Sequence, residues 1–209
     1  KRLPDQRAYI DSGAYVENWG AYHPQSRIVS DLIIGFVGMG EIARPMATVA
    51  AAFGMRILYW DQTRFPDLES RWNMDFVSWE EIWSVPDVVS LQLALNEQTE
   101  GIVDARTIGS MKPGALFQNS ARGRLVDEGA LVAALQGGSL GGAALDVFAT
   151  EPLPLASPLR ELARSEPNRV ILTPHSAAQG PWTWVRDSQA LWLNVRRFLD
   201  GEPVHHVIS

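Results

Sequence analysis

Arg122, Glu151 and His175 are side chains suited to chemistry, and each stands where an apolar run gives way to a loop. Arg122 lies in Asn119-Ser-Ala-Arg-Gly123, Glu151 in Asp146-Val-Phe-Ala-Thr-Glu-Pro152 and His175 in Thr173-Pro-His-Ser-Ala177. A guanidinium can hold a carboxylate, and an imidazole can pass a proton near neutral pH under the influence of a neighbouring acid. Each also fits a plainer role: a surface ion pair, a solvated loop acid, a turn histidine. A second constellation runs from Leu32 to Asp61. Gly38-Met-Gly40-Glu-Ile-Ala43 follows an apolar run and opens a helical one, and Met55-Arg-Ile-Leu-Tyr-Trp-Asp61 ends in an acid. Gly38 permits a tight turn, Gly40 lets a pyrophosphate approach the backbone, and Ala43 allows close helix packing. Asp61, about 20 residues beyond the turn, is placed to accept ribose hydroxyls and to repel a 2′-phosphate, which favours NAD over NADP.

The elements that position these groups are those of an α/β protein, a doubly wound parallel sheet of the Rossmann type. From Ile33 onward short apolar runs alternate with helical patterns. Ser78-Trp-Glu-Glu81 is a capping box, and Asp87 to Leu93 reads as a buried strand. Asp104 caps a helix that runs toward Lys112-Pro-Gly, and Ala115-Leu-Phe-Gln118 is the next strand. Asp127 caps a helix ended by Gly137-Gly138, Ala143 to Phe148 is a strand, and Ser157-Pro158 opens a short helix. Arg169 to Thr173 is the last strand, and a helix from about Thr183 to Leu199 follows it. Pro45 sits early in the first crossover helix and is tolerable only near its first turn. Trp60, Trp79, Trp83 and Trp192 are expected in the core, whereas Trp182 and Trp184 are expected to face a cleft or a partner subunit.

With 209 residues, 46% of them apolar and 20% charged, the chain can bury a sizeable core. It has no cysteine, so it has neither a disulfide framework nor thiolate metal ligands, which suits a reducing cytoplasm. The four histidines His23, His175, His205 and His206 lack metal-cluster spacing, so no metal is expected. A formal charge of −6 without a basic stripe argues against nucleic acid. No apolar run is long enough for a membrane span, and no leader resembles a signal peptide.

Four ordered motifs then make a resemblance specific: Gly-Met-Gly-Glu-Ile-Ala, Lys112-Pro-Gly-Ala with Asn119-Ser-Ala-Arg-Gly-Arg-Leu-Val-Asp127, Leu145-Asp-Val-Phe-Ala-Thr-Glu-Pro152, and Thr173-Pro-His. Over roughly residues 31 to 204 the chain resembles the cofactor-binding half of the D-isomer-specific 2-hydroxyacid dehydrogenases. The resemblance implies an NAD-dependent enzyme acting on a 2-hydroxy or 2-keto acid, with Arg122, Glu151 and His175 catalytic. It also implies cofactor contacts from Gly38, Gly40, Glu41, Ile42, Asp61, Leu93, Ser120, Ala121 and Asp146. Residues 1–30 are expected to be a connecting helix and arm, 31–201 the dinucleotide-binding domain, and 202–209 a tail toward a substrate domain. Such enzymes pair through their cofactor domains, so a homodimer is expected, with Tyr9, Tyr15 and Trp19 suited to an interface. The flavodoxin-like substrate domain of the family is missing here, so the piece is expected to bind NAD(H) without turning over substrate.

Gln92 stands where the family has a histidine, Ala94 replaces a proline, and Ser176 and Gln179 to Trp184 are unusual, which leaves the substrate open. A rival reading is a catalytically silent NAD(H)-sensing protein of the corepressor kind, and a more distant one is a methyltransferase.

Overall fold

The computed structural model describes residues 3–13 and 27–205. Tyr15 and Trp19 of the expected arm lie outside the described residues. The chain divides after Pro174 into two compact units, which are taken in turn.

The first unit is built on seven strands: β1 (Ile33–Val37), β2 (Arg56–Trp60), β3 (Met74–Phe76), β4 (Val88–Leu91), β5 (Leu116–Asn119), β6 (Gly142–Leu145) and β7 (Val170–Leu172). Their order is β3-β2-β1-β4-β5-β6-β7, and every pairing is parallel. A helix α1 (Leu3–Asp11) precedes the sheet. The crossovers carry α2 (Ala43–Ala52), α3 (Pro66–Trp72), α4 (Trp79–Ser84), α5 (Ala105–Gly109), α6 (Glu128–Gln136) and α7 (Pro158–Ser165).

Strand residues alternate between two cores, as the period of two requires. Phe36, Ile57 and Tyr59 face one way and bury Ala43, Ala47 and Ala50 of α2, with Leu68 and Trp72 of α3 packed on them. Val37, Leu58 and Leu91 join Ile82 and Trp83 of α4, Ile108 of α5, Leu131 and Leu135 of α6, and Leu159 of α7 on the other side. The helices before β2 and β3 thus cover one face and the later ones the opposite face, which is what right-handed crossovers give when strand order reverses direction at β1. The three alanines of α2 let that helix lie close to the sheet.

The expected caps are in place. Ser78 and Glu81 form the reciprocal capping box, Asp104 accepts from the Thr107 N–H, Asp127 from the Ala130 N–H, and Ser157 from the Leu159 N–H. Pro45 falls in the first turn of α2, where its missing N–H leaves no bond broken. Trp60, Trp79 and Trp83 stack edge to face, with centroids 4.6 and 5.4 Å apart. They contribute to the larger core. Trp192 does not: it is 69% exposed. It lies in the second unit, on α8 (Pro181–Leu199), beside exposed Leu191, Leu193 and Phe198. Burial needs a second layer, and within that unit one helix and its flanking coil do not supply it. The side chains of Trp182 and Trp184 lie outside the described residues.

One ion cluster ties the start of the sheet together. Asp87, only 6% exposed, accepts from Arg27 at 2.8 Å, from Lys112 at 2.6 Å and from the Ile33 N–H at 3.0 Å. Burial raises its pKa, but these three bonds outweigh it and hold the carboxyl well below the usual carboxylate range. A depressed folded-state pKa means that the stabilisation is complete above the unfolded value near 3.9 and drains away as pH falls toward the folded one. Asp87→Asn should therefore cost about 2–3 kcal/mol at pH 7, the range of a few hydrogen bonds to a charged group. In urea melts that difference should shrink below about pH 4; a difference of the same size at pH 3 and pH 7 would reject this account.

Candidate functional site

A parallel sheet puts all its strand carboxyl ends on one edge, and the loops leaving that edge carry the expected site residues of the first unit. Between β1 and β4 the strand order reverses, which opens a crevice at that edge.

The glycine turn sits at this point. Gly38 donates to the Trp60 carbonyl at 2.8 Å and has φ +97°, and a Cβ there would lie 2.8 Å from the Gln92 carbonyl oxygen. Both conformation and space require glycine. Gly40 is different, because a Cβ there would meet open space: its smallness leaves room on the outer side of the turn. Glu41 and Ile42 are exposed at the entrance to α2, and Ile42, the cap residue, makes no side-chain cap bond. The Arg44 N–H at this start donates to the Gly40 carbonyl at 3.2 Å, and no side chain of the cap residue closes it, so the turn and the first turn of a ten-residue helix adjoin at the place where an anion is favoured.

Asp61 is drawn to the turn. Its Oδ2 accepts the Met39 N–H at 2.7 Å and its Oδ1 accepts the Thr63 N–H at 3.0 Å. Leu93 lies against the turn, its Cδ2 3.2 Å from where a Gly38 Cβ would be. Further along the edge, Gln92 Nε2 donates to Ser90 Oγ at 3.0 Å, to Gln118 Oε1 at 3.1 Å and to Ser120 Oγ at 3.4 Å. Ser90 Oγ donates to Gln118 Oε1 at 2.6 Å. This amide ladder fixes Ser120 and is the local consequence of glutamine at position 92.

Buried Asn119 holds the next loop. Its Oδ1 accepts the Ala121 N–H at 2.9 Å and its Nδ2 donates to the Arg122 carbonyl at 3.0 Å. Arg122 is exposed and donates to the Ala121 carbonyl at 2.7 Å. Asp146 is 5% exposed; its N–H donates to the Asn119 carbonyl at 3.0 Å, and its carboxylate accepts the Thr173 hydroxyl. Glu151 accepts the Phe148 N–H at 2.9 Å. Gly123 brings the two loops into contact: a Cβ there would fall 1.9 Å from the Phe148 carbonyl carbon. The loops of Arg122 and Glu151 therefore share one wall.

His175 opens the second unit with φ +52°, and its carbonyl accepts from Gln179 Nε2 at 3.2 Å. A left-handed histidine is uncommon and is more often met at functional sites than elsewhere. Among the described residues no group of three or more His, Asp or Glu side chains is arranged to hold a metal ion. A separate cavity of about 530 Å³ lies between α4 and residues 102–110, lined by Trp79, Trp83, Ile102, Arg106 and their neighbours, and the expected site residues are not among its walls.

Sheet order, glycine turn and acid define a nucleotide-binding domain of the Rossmann class. Residues 1–177 match the family described as D-isomer specific 2-hydroxyacid dehydrogenase, NAD binding domain, and the chain belongs to that family. It is 35% identical over 205 residues to a glyoxylate reductase of Korarchaeum cryptofilum, a match that covers 97% of this chain and 59% of that protein. The structure of a D-lactate dehydrogenase with NAD+ from Lactobacillus jensenii superposes with TM-score 0.83 at 26% identity, covering 100% of this chain and 64% of that one. A D-isomer specific 2-hydroxyacid dehydrogenase from Xanthobacter autotrophicus Py2, in complex with NADPH and MES, gives TM-score 0.81 at 30% identity over 99% of this chain and 80% of its own. The chain spans less than two thirds of the first two relatives. No helix among the described residues is long and apolar enough to cross a membrane.

Sequence reasoning had no signal for the amide ladder or for a charged clamp beside Asp61, because their partners come from different elements. The clamp joins Arg64 to Glu69 and Glu69 to Tyr59.

Proposed function

We propose that the chain is the cofactor-binding part of an oxidoreductase that transfers a hydride between NAD(H) and a 2-hydroxy or 2-keto acid. The observation that carries this reading is Asp61 held on the Met39 N–H, beside a turn whose Gly40 faces open space and a helix start with no side-chain cap. A pyrophosphate fits that start, and a ribose diol fits the remaining lone pairs of Asp61. When bound, the nicotinamide supplies or accepts the hydride. Arg122 binds and orients the substrate carboxylate, His175 holds and delivers the proton at the carbonyl oxygen, and Glu151 is the acid of the catalytic set. Leu93, Ser120, Ala121 and Asp146 border the nicotinamide side.

Residues 31–201 serve as the dinucleotide-binding domain, with 1–30 as connecting helix and arm and 202–209 leading toward a substrate domain. We extend this to a cytoplasmic homodimer paired through that domain. The named relatives are reductases and dehydrogenases, which supports turnover by the whole protein over the silent sensor.

NADH should quench the tryptophan fluorescence of residues 1–209 saturably, while keto acid reduction by these residues alone stays flat, because hydride and proton transfer need the keto acid held in a near-attack geometry with water excluded. Asp61→Ala should weaken NADH by about tenfold, or about 1.4 kcal/mol, and narrow the preference over NADPH. Tighter binding of NADPH than NADH by the unaltered chain would sink the assignment of Asp61.

A further inference from the structure

The turn that Asp61 starts carries a second charged arrangement that the cofactor reading leaves unused. Asp61 folds the chain back by accepting the Thr63 N–H, and Arg64 follows at once. The Arg64 guanidinium is gripped by both oxygens of Glu69, Nε to Oε1 and Nη2 to Oε2, each at 2.9 Å. Glu69 is itself anchored: the Tyr59 hydroxyl donates to Oε1 at 2.7 Å while accepting the Phe65 N–H at 2.8 Å. Tyr59 is fully buried in β2. Burial, above all, pushes its pKa up to about 12, so it remains a donor at any working pH. Bonds from Arg64 and then from Tyr59 bring Glu69 down to about 2, so it remains an anion. The anchor faces the protein and the arm it holds faces solvent, for the Glu69 side chain is 15% exposed and that of Arg64 62%.

We propose that Glu69 is a positioning residue for cofactor choice: by engaging Nε and Nη2 of Arg64 and offsetting its charge, it withholds from an adenosine 2′-phosphate the guanidinium that follows Asp61 by three residues in the same turn. The inference rests on the NAD-binding reading above and deepens it. A 2′-hydroxyl at Asp61 needs an acceptor and finds one. A 2′-phosphate there meets the Asp61 anion and needs a cation to offset it. Arginine serves carboxylate and phosphate with the same bidentate fork, so Glu69 and a phosphate compete for one partner. The other cation flanking the turn, Arg44, is also engaged, through Nε to the Met39 carbonyl at 3.1 Å and over the Phe65 ring at 5.0 Å.

The test compares NADH and NADPH dissociation constants, from tryptophan quenching, for the unaltered chain, Glu69→Gln, and Glu69→Gln with Arg64→Ala. Glutamine keeps an acceptor for Tyr59 but loses the charge and the second oxygen. Glu69→Gln should bind NADPH about fivefold more tightly, with NADH unchanged within about twofold, and the double variant should lose the gain; fivefold is about 1 kcal/mol. The rise stays modest because Asp61 still repels the phosphate. An unchanged NADPH constant in Glu69→Gln, or a gain that survives loss of Arg64, overturns the proposal while NADH binding persists. Failure of NADH to bind the unaltered chain overturns the cofactor reading and the clamp with it. If Glu69→Gln does not melt cooperatively, Arg64→Ala alone decides: a withheld arginine predicts no change in NADPH binding, and a clear loss shows that Arg64 is already available.

Discussion

Replacing His175 by asparagine in the full-length enzyme is expected to lower kcat by about 10²- to 10⁴-fold while NADH affinity stays within about a factor of two. The size follows from the step the imidazole performs. Hydride arriving at a carbonyl carbon leaves charge on the oxygen, and a positioned donor that neutralises it lowers the barrier by roughly 3–5 kcal/mol. Cofactor affinity should be spared because the glycine turn, Asp61 and the helix start all lie in the unit that ends at Pro174. Asparagine is the instructive replacement. Position 175 has φ +52°, a region that asparagine also enters readily, so the variant removes the ring without straining the loop. Steady-state rates with glyoxylate and a parallel NADH titration would measure both quantities. A kcat within tenfold of the unaltered enzyme would remove His175 from the proton path.

Gly123→Ala should be the most destabilising of the small substitutions near the site, by roughly 3–5 kcal/mol. The added carbon would lie 1.9 Å from the Phe148 carbonyl carbon, 2.1 Å from its oxygen and 2.4 Å from the Ala149 nitrogen. All three are backbone atoms, so no side chain can swing aside. Phe148 is 7% exposed, and its N–H is held by Glu151 at 2.9 Å. The whole loop after β6 must therefore move, and the loops that carry Arg122 and Glu151 must part. Gly40→Ala is the matched control, since its new methyl meets no protein atom and should change stability by less than about 0.5 kcal/mol. Urea midpoints at constant m would compare the two. Equal midpoints would show that the β5 and β6 loops are not in the tight contact described here.

Much of this was legible in the chain itself. The glycine turn, the apolar run before it and the acid after it are local and periodic, and so are the four capping residues. What escaped has a common physical origin. The strand β3 is only Met-Asp-Phe, and it earns its place by pairing with β2 rather than by any alternation of its own. The helix α3 before it buries none of its residues fully, so its pattern is faint. Expected strands and helices also ran long at their carboxyl ends: β4 stops at Leu91, β6 at Leu145 and α5 at Gly109, because the residues beyond are taken up by site loops and turns. Trp192 departs from the expected core because a large apolar side chain signals a tendency to be buried, not a neighbour to provide burial. The Asp87 cluster and the clamp on Arg64 depend on which charges the fold brings face to face, and no spacing rule encodes that. The candidate site was readable as a set of strand ends; its walls were not.

The bond from the Met39 amide to Asp61 makes that carboxylate a structural brace as well as a recognition element. Redesigning coenzyme use by changing position 61 thus perturbs two free energies at once, the preorganisation of the turn and the discrimination between ligands. A substitution that merely loosens the turn weakens every dinucleotide alike and leaves the ratio untouched, whereas one that alters discrimination shifts the ratio. For an engineer working on this scaffold, affinity ratios carry the specificity and absolute affinities carry the architecture.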